Sequence, residues 1–120
     1  MIFTPKKTVL AWVEAFNNAD VETLIQLYHR DAINHQVAYE PVQGHDALRD
    51  LFRMEFGRAN MVCIIENLFQ EGEWAILEWS DPLNIRGCGF FQVRDGLIVL
   101  QRGYFDKLSF YKAQGLPLED

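Results

Sequence analysis

The sequence predicts an α+β domain in which three N-terminal helices pack on a curved antiparallel sheet, giving a cone-shaped α+β barrel. Apolar residues recur at helical spacing as far as position 56, and β-branched and aromatic runs separated by turn residues take over from position 60. The length of 120 residues also suits one domain, since domains typically hold about 100–150 residues. We therefore treat residues 1–120 as a single domain with one core.

Two amphipathic helices are predicted at the start of the chain. Thr4 can cap the first, and Pro5 suits its first turn because the N–H that proline lacks has no partner there. Apolar residues then recur with a helical period as far as Phe16. Asp20 can cap a second helix, whose apolar residues extend to Tyr28.

The middle of the chain combines a short strand, a loop and a third helix. Residues 32–36 form an extended run, and a loop that contains proline and glycine follows it as far as Gly44. Residues 45–56 then return to the helical period, with Leu48 and Phe52 on the apolar side.

The second half predicts a four-stranded antiparallel meander and a closing turn or short helix. Asp81-Pro82 and Asp95-Gly96 are typical turn pairs between strands, and residues 106–114 would end at Gly115. Both alternating faces of the strands are apolar, so we expect one face to meet the helices and the outer face to form a homodimer. The predicted strands are 61–69, 74–80, 85–93 and 97–105.

Charge and composition argue against several classes of partner. The net charge is −6, with 11 Lys+Arg against 17 Asp+Glu, and no cationic cluster stands out, so we expect no nucleic-acid partner. The apolar runs fall short of the ~20 residues of a membrane span, and the start lacks the features of a secretory signal. We therefore expect a cytoplasmic protein without a membrane partner. The spacing of the three histidines predicts no metal site, and the isolated Cys63 and Cys88 are expected to be reduced core thiols. We also expect no cofactor.

Several motifs spread over nearly the whole chain carry a family resemblance. They are residues 12–20 (WVEAFNNAD), 24–28 (LIQLY), 31–32 (DA), 44–48 (GHDAL) and 102–106 (RGYFD). With these motifs the chain resembles the nuclear transport factor 2-like superfamily, and within it the SnoaL-like polyketide cyclases, limonene epoxide hydrolase and ketosteroid isomerase. The resemblance implies a cone-shaped pocket for a small hydrophobic molecule. It does not define one reaction, because this fold hosts enzymes, ligand binders and transport adaptors.

Asp81 is the first candidate catalytic residue. It follows an apolar run and shares strand parity with Trp79, so both side chains should face the pocket. In the resembling epoxide hydrolase a carboxylate at this position transfers a proton, helped by an arginine two residues earlier and an aspartate on the last strand. Here Trp79 and Gly103 occupy those two positions. The alternative is that Asp81 only starts a turn, as Asp-Pro commonly does.

Residues 34–36 form the second candidate group. Asn34 and Gln36 share parity and can hydrogen-bond a ligand oxygen, and the resemblance implies a water-holding role for polar groups there. In the ketosteroid isomerase resemblance the general base falls on Gln36, whose amide cannot abstract a proton. His35 is the second candidate catalytic residue, because SnoaL-like sequences often carry a histidine in the setting Asp-x-x-x-His. A bulge would have to turn it inward, and the alternative is a surface histidine.

The remaining candidates are expected to contact the substrate. Gln101 can donate a hydrogen bond and Gly103 leaves space for a ligand, although strand glycines also relieve sheet curvature. Trp12 and Phe16 form an apolar wall or part of the core. The predicted substrate-binding residues are Asn34, Gln36, Trp79, Ile85, Gln101, Gly103, Phe105, Trp12 and Phe16.

Three functions fit these patterns. The first is an isomerase, cyclase or hydrolase that uses acid/base chemistry on a small hydrophobic substrate. The second is a pocket that binds a metabolite without turnover, and the third is a dimeric interaction domain that uses the outer sheet face. Since two of the three aligned epoxide hydrolase residues are absent, the residues leave the reaction open.

Overall fold

A computed structural model describes residues 4–118, which fold into four helices and one sheet of six strands. No helix within that range has both the length and the apolar composition needed to cross a membrane. The helices are α1 (Pro5–Asn17), α2 (Val21–Gln26), α3 (His45–Arg58) and α4 (Lys107–Gln114). The strands are β1 (Tyr28–Gln36), β2 (Val42–Gln43), β3 (Ile64–Glu71), β4 (Trp74–Ser80), β5 (Arg86–Arg94) and β6 (Leu97–Phe105).

Side-chain caps fix where α1, α2 and α4 begin, and the sequence predicts the first two of these caps. Thr4 accepts a hydrogen bond from the N–H of Lys7 at 3.2 Å, and Asp20 accepts one from the N–H of Thr23 at 3.2 Å. Asp106 caps α4 in the same way. Each cap gives a partner to a backbone donor that the helix itself leaves without one.

The second helix is shorter than predicted. Its apolar period suggested an end at Tyr28, but α2 ends at Gln26 and Tyr28 opens β1. The N–H of Ile98 donates to the carbonyl of Leu27 at 2.8 Å, which ties this segment to β6. The Tyr28 side chain, which is 1% exposed, is therefore buried as part of a strand and not as part of a helix.

The sheet has the order β2-β1-β6-β5-β4-β3 and remains open at both ends. The predicted meander is confirmed, since β3 to β6 pair in succession as antiparallel neighbours. Two expectations need correction. The sheet is not purely antiparallel, because β1 pairs with β6 in parallel, and it does not close into a barrel, because β2 and β3 are edge strands.

The helices cover the concave face of the sheet. Helix α1 packs on β4 and β5, and α3 packs on β1 and β2. Trp12 stacks on Phe16 with ring centroids 4.8 Å apart and meets Phe91 edge-on at 5.3 Å. Burying such large side chains stabilises the fold by about 1.5–3 kcal/mol each. The aromatic core therefore lies between α1 and the middle of the sheet.

Candidate functional site

A cavity with a volume of about 120 Å³ lies between the helices and the concave face of the sheet. Aromatic and aliphatic side chains make up most of its walls, and a few polar groups converge on it, as is typical of small-molecule sites. Since a buried apolar cavity of about 150 Å³ can hold benzene, this one suits an apolar group of nearly ring size. The predicted residues that line it are Trp12, Phe16, Asn34, Gln36, Trp79, Asp81, Gln101, Gly103 and Phe105.

Side-chain amides form the polar part of the sheet wall. The parallel register of β1 and β6 sets Asn34 beside Gln101 and Gln36 beside Gly103. The amide nitrogen of Gln36 donates to the Asn34 side-chain oxygen at 2.8 Å. Asn34 and Gln101 are 2% and 4% exposed. Buried amides are costly without partners, so this group is arranged to hydrogen-bond itself and whatever enters the cavity.

A hydrogen-bond relay from the core orients Gln101. The indole N–H of Trp12 donates to the Tyr28 hydroxyl at 2.9 Å, and that hydroxyl donates to Oε1 of Gln101. Burial raises the pKa of Tyr28, which keeps the phenol neutral and able to donate. Because the amide oxygen of Gln101 is engaged, its NH₂ group is the part left for a ligand.

Asp81 both caps a turn and lines the cavity. It is 7% exposed, and its Oδ1 accepts hydrogen bonds from the N–H groups of Leu83 and Ile85, each at 2.9 Å. These bonds define the β4–β5 turn, as the turn interpretation expects. The second carboxylate oxygen takes no hydrogen bond from any residue of 4–118. The side chain can therefore shape the turn and still face a ligand.

Two strand glycines make room for side chains. A Cβ at Gly87 would lie 2.4 Å from Cζ2 of Trp79, so the indole rests directly on this glycine. A Cβ at Gly103 would lie 2.0 Å from Oε1 of Gln36. The space above Gly103 is thus taken by Gln36, whereas the sequence suggested that it would be left to the ligand.

His35 is the first predicted residue that lies outside the cavity. The bulge in β1 falls between Tyr28 and Ile33, before His35 is reached. From Ile33 onward β1 pairs regularly with β6, so His35 lies opposite Arg102, with Asn34 and Gln36 on the other face. The bulge that would turn His35 inward is thus not formed at this residue, which agrees with the alternative of a histidine on the outer face.

Ile85 is the second predicted residue that lies outside the cavity. It belongs to the turn before β5, where its N–H donates to Asp81 Oδ1 and its carbonyl accepts the Asp81 N–H at 2.9 Å. It therefore supports Asp81 through its backbone, while its side chain lies outside the cavity lining.

The sequence interpretation missed four polar residues on the helix side, here named the helix-wall cluster: Tyr39, Glu55, Arg58 and Tyr111. The first three line the cavity, and Tyr111 lines the outer lobe described below. Glu55 and Arg58 are contributed by α3, Tyr111 by α4, and Tyr39 by the loop after β1. Nη2 of Arg58 lies 3.3 Å from Oε1 of Glu55, and Nη1 donates to the Tyr111 hydroxyl at 3.1 Å. The Tyr39 hydroxyl also donates to that of Tyr111, at 2.9 Å.

Burial shifts the acidity of this cluster. It raises the pKa of Glu55, whose side chain is only 15% exposed, despite the nearby Arg58. Burial, together with the hydrogen bond to Tyr111, raises the pKa of Tyr39 to about 12. Burial alone would also raise the pKa of Tyr111, but the hydrogen bonds from Tyr39 and Arg58 and the charge of Lys107 lower it. The cluster thus holds an acid that favours its proton and a phenol that releases its own more readily.

A second, outer lobe of about 420 Å³ adjoins the cavity on the side of the helix-wall cluster. The exposed residues Glu40 and Met54 lie along it, which places it towards solvent. The two lobes share Asn34, Gln36, Tyr39, Leu51, Glu55 and Arg58. Both lobes are therefore bordered by Glu55 and Arg58 on one side and by the amides of β1 on the other.

The matching family model is described as the SnoaL-like domain, and it covers residues 9–101. The chain belongs to the SnoaL-like domain family. This confirms the resemblance inferred from the motifs and agrees with the cone-like arrangement of helices on a curved sheet.

Relatives of this SnoaL-like domain include proteins named for chemistry on small molecules. Epoxide hydrolase EphG of Mycobacterium tuberculosis is 29% identical over 111 residues, which cover 87% of this chain and 74% of that protein. The solved structure of an epoxide hydrolase of the limonene epoxide hydrolase-like type from the same organism is 26% identical, with a TM-score of 0.77 over 92% of this chain and 88% of the other. A protein of ketosteroid isomerase-like fold from Catenulispora acidiphila, solved with trimethylamine, has a TM-score of 0.82 at 17% identity, covering 96% of each chain. The last likeness shows the fold alone.

Other reactive groups of this SnoaL-like domain are inert or scattered. Cys63 lines the cavity, but burial raises the pKa of its thiol to about 12, so it stays protonated. Cys63 and Cys88 are both free thiols. Among residues 4–118, no three His, Cys, Asp or Glu side chains are grouped closely enough to hold a metal ion. The carboxyl groups Asp81 and Glu55 are therefore the cavity's candidates for proton transfer.

Proposed function

We propose that this SnoaL-like domain binds a small, mainly apolar molecule in its cavity and catalyses acid/base chemistry on it, with Asp81 exchanging the proton. The substrate class is a compound of about one ring that carries an epoxide, lactone or carbonyl oxygen. The observation that carries the proposal is the buried Asp81 carboxylate, which lines a mainly apolar cavity and has one oxygen free of hydrogen bonds from residues 4–118.

The shape and polarity of the cavity support this substrate class. Trp12, Phe16 and Trp79 offer apolar contact, while the NH₂ group of Gln101 is oriented by the Tyr28 relay to donate to a ligand oxygen. A ligand with a single oxygen would satisfy that donor and would bring no further polar atom of its own into the cavity. The relatives named as epoxide hydrolases support the same substrate class, since an epoxide is a strained ring that contains one oxygen.

Replacing Asp81 by asparagine separates the role of Asp81 in proton exchange from its role in the turn. The side-chain oxygen of Asn can still accept the N–H groups of Leu83 and Ile85, so D81N should keep the turn while it loses the ability to exchange a proton. The matched control is D50N, because Asp50 is an exposed acid on α3 that makes no hydrogen bond with any residue of 4–118.

The test is turnover of a panel of small epoxides, lactones and cyclic enones. We expect wild type and D50N to turn over at least one compound, and D81N to lose about 10²–10⁴-fold in kcat, the usual contribution of an acid/base group. An unchanged rate and pH–rate profile in D81N would overturn the role of Asp81.

A second candidate function is binding of the same molecules without turnover. Trp79 and Gly103 stand at the positions of the two residues that assist the carboxylate in the resembling hydrolase, and Gln36 fills the space over Gly103. Asp81 then has no charged partner from those positions. Thermal stabilisation by panel compounds, with no product from any of them, would favour this candidate over the first.

The outer sheet face supports a further proposal, that the protein forms a homodimer. Phe69, Ile76, Phe90, Arg102 and His35 follow one another across this face. Phe69 is 56% exposed and Tyr104 is 42% exposed. Analytical ultracentrifugation should give a dimer for the wild type and a monomer for Phe69→Glu combined with Tyr104→Glu. A monomeric wild type at high concentration would contradict the proposal.

A further inference from the structure

The cavity holds a second carboxyl group on the wall opposite Asp81. Asp81 follows β4 on the sheet side, whereas Glu55 projects from α3 on the helix side, and both line the same cavity. Glu55 also borders the outer lobe. A molecule held between the sheet and the helices therefore has one acid on each side.

The two carboxyl groups are held very differently. Two backbone N–H groups at 2.9 Å hydrogen-bond one oxygen of Asp81. Glu55 is approached only by Arg58, whose Nη2 lies 3.3 Å from one oxygen and 3.5 Å from the other, among residues 4–118. Two acids in unlike surroundings are the usual arrangement by which an enzyme keeps one as the proton donor and the other as the acceptor.

We propose that Glu55 is a second proton-transferring group, which donates a proton to the ligand oxygen while Asp81 accepts one on the opposite side. The proposal rests on the function proposed above and deepens it. It restricts the substrate to molecules whose epoxide or carbonyl oxygen faces α3 and whose apolar part lies against the sheet and α1.

The proton balance can be written for each of the two substrate types. With an epoxide, Asp81 takes a proton from water, and the water oxygen bonds to a ring carbon. The bond between that carbon and the epoxide oxygen breaks, and Glu55 protonates the epoxide oxygen. With an enolisable ketone, Asp81 takes the proton from the α-carbon, the C–H electron pair becomes the C=C bond, and Glu55 protonates the carbonyl oxygen. In both cases Asp81 ends protonated and Glu55 ends ionised, and exchange with solvent through the outer lobe restores them.

The surroundings of Glu55 suit a donor. Burial raises the pKa of Glu55 above its ordinary value, so it holds its proton closer to neutral pH. Arg58 stays fixed because its other terminal nitrogen is bound to Tyr111, so it stabilises the carboxylate that forms when the proton leaves. Several titratable groups lie on the neighbouring elements. They are Arg58 on α3, Tyr111 and Lys107 on α4, Tyr39 and Glu40 in the loop before β2, Cys63 before β3, and Asp81 beyond β4.

The first experiment compares pH–rate profiles of wild type, E55Q, E55D, D81N and the exposed control D50N on the panel compound that turns over. We expect E55Q to lose about 10²-fold or more in kcat together with the alkaline limb of the profile. E55D should recover part of the rate, because it restores an acid. If Glu55 had only a structural role, E55Q would have a lower melting temperature and a pH–rate profile of unchanged shape. That result would overturn the proposal.

The second experiment needs no turnover and uses cyclohexanone as the probe. If protonated Glu55 donates to the carbonyl oxygen, the affinity of wild type and D81N for cyclohexanone should fall about 3- to 10-fold as the pH rises from 5 to 9, the worth of one hydrogen bond. E55Q, whose amide donates at every pH, should bind equally at both. Wild-type affinity that does not change with pH would overturn the role of Glu55. Loss of rate in E55Q with full rate in D81N would instead overturn the role proposed for Asp81.

Discussion

The sheet wall and the helix wall of the cavity bury different kinds of polar group and give them different hydrogen-bond partners. On the sheet wall the groups are neutral amides, and Asn34 and Gln101 find partners in Gln36 and Tyr28. On the helix wall the groups are ionisable, and Nη2 of Arg58 lies 3.3 Å and 3.5 Å from the two carboxyl oxygens of Glu55. Well-satisfied neutral networks are rigid, whereas a loosely held buried acid is able to change its protonation. The sheet wall is therefore suited to positioning a ligand, and the helix wall is suited to exchanging a proton with it.

The largest expected effect tests how tightly the sheet wall is packed. In Gly87→Ala the new Cβ would lie 2.4 Å from the Trp79 ring and 2.6 Å from the backbone oxygen of Tyr104. Because the backbone contact cannot be relieved by rotating a side chain, we expect a loss of about 3 kcal/mol in the free energy of unfolding, measured by urea denaturation.

Gly89→Ala is the matched control for this substitution. A Cβ at Gly89 would lie 3.2 Å from Cε1 of the flexible Phe91 side chain and 3.8 Å from the backbone oxygen of Arg102. It should cost clearly less than Gly87→Ala, and equal losses in the two variants would contradict the close seating of Trp79.

A smaller effect should follow from breaking the relay behind the amides. Tyr28→Phe removes the hydroxyl that links Trp12 to Gln101 and leaves a buried N–H and a buried oxygen without their partner. We expect a loss of about 2 kcal/mol in the free energy of unfolding. Affinity for cyclohexanone should also fall, because Gln101 is then free to turn. Unchanged stability in urea would mean that the relay does not hold the sheet wall.

The buried acid of the helix wall should make the stability of the protein depend on pH. Because the pKa of Glu55 is raised in the folded protein, its stabilising contribution is full below the ordinary value of 4.5 and is lost as the pH rises through the folded value. The melting temperature of wild type relative to E55Q should therefore be highest in acid and fall as the pH rises. Carboxyl groups with lowered pKa, such as Glu22 and Glu73, are common to both proteins and cancel in this difference. A difference that rises with pH would show that the pairing with Arg58 outweighs burial.

The two walls also differ in how far the sequence predicts them. Alternation along a strand places residues by a period of two, so Asn34, Gln36, Gln101 and Gly103 could be assigned to one face from the sequence. The same rule sets His35 on the outer face, because the bulge that could have turned it inward lies earlier in the strand. Turn and capping residues likewise predicted the helix starts and the Asp95-Gly96 hairpin correctly.

The helix wall depends on contacts between distant parts of the chain. Tyr39, Arg58 and Tyr111 are brought together by the packing of a loop, α3 and α4, which no local period encodes. One local pattern could have revealed Glu55: it lies three and four residues after Phe52 and Leu51, on the apolar side of α3. A charged residue at such a position is unusual enough to be a candidate site residue. The parallel pairing of β1 with β6 was missed for a similar reason, since their pairing spans most of the chain.

Side-chain amide NMR during a cyclohexanone titration tests the central claim most directly, namely that the cavity between these walls binds a small molecule through the sheet-wall amides. The NH₂ signals of Asn34, Gln36 and Gln101 should shift together and saturate, while that of Gln92, which is bound to Glu73 on the outer face, should stay in place. Shifts confined to Gln92, or none at all at saturating cyclohexanone, would contradict the account.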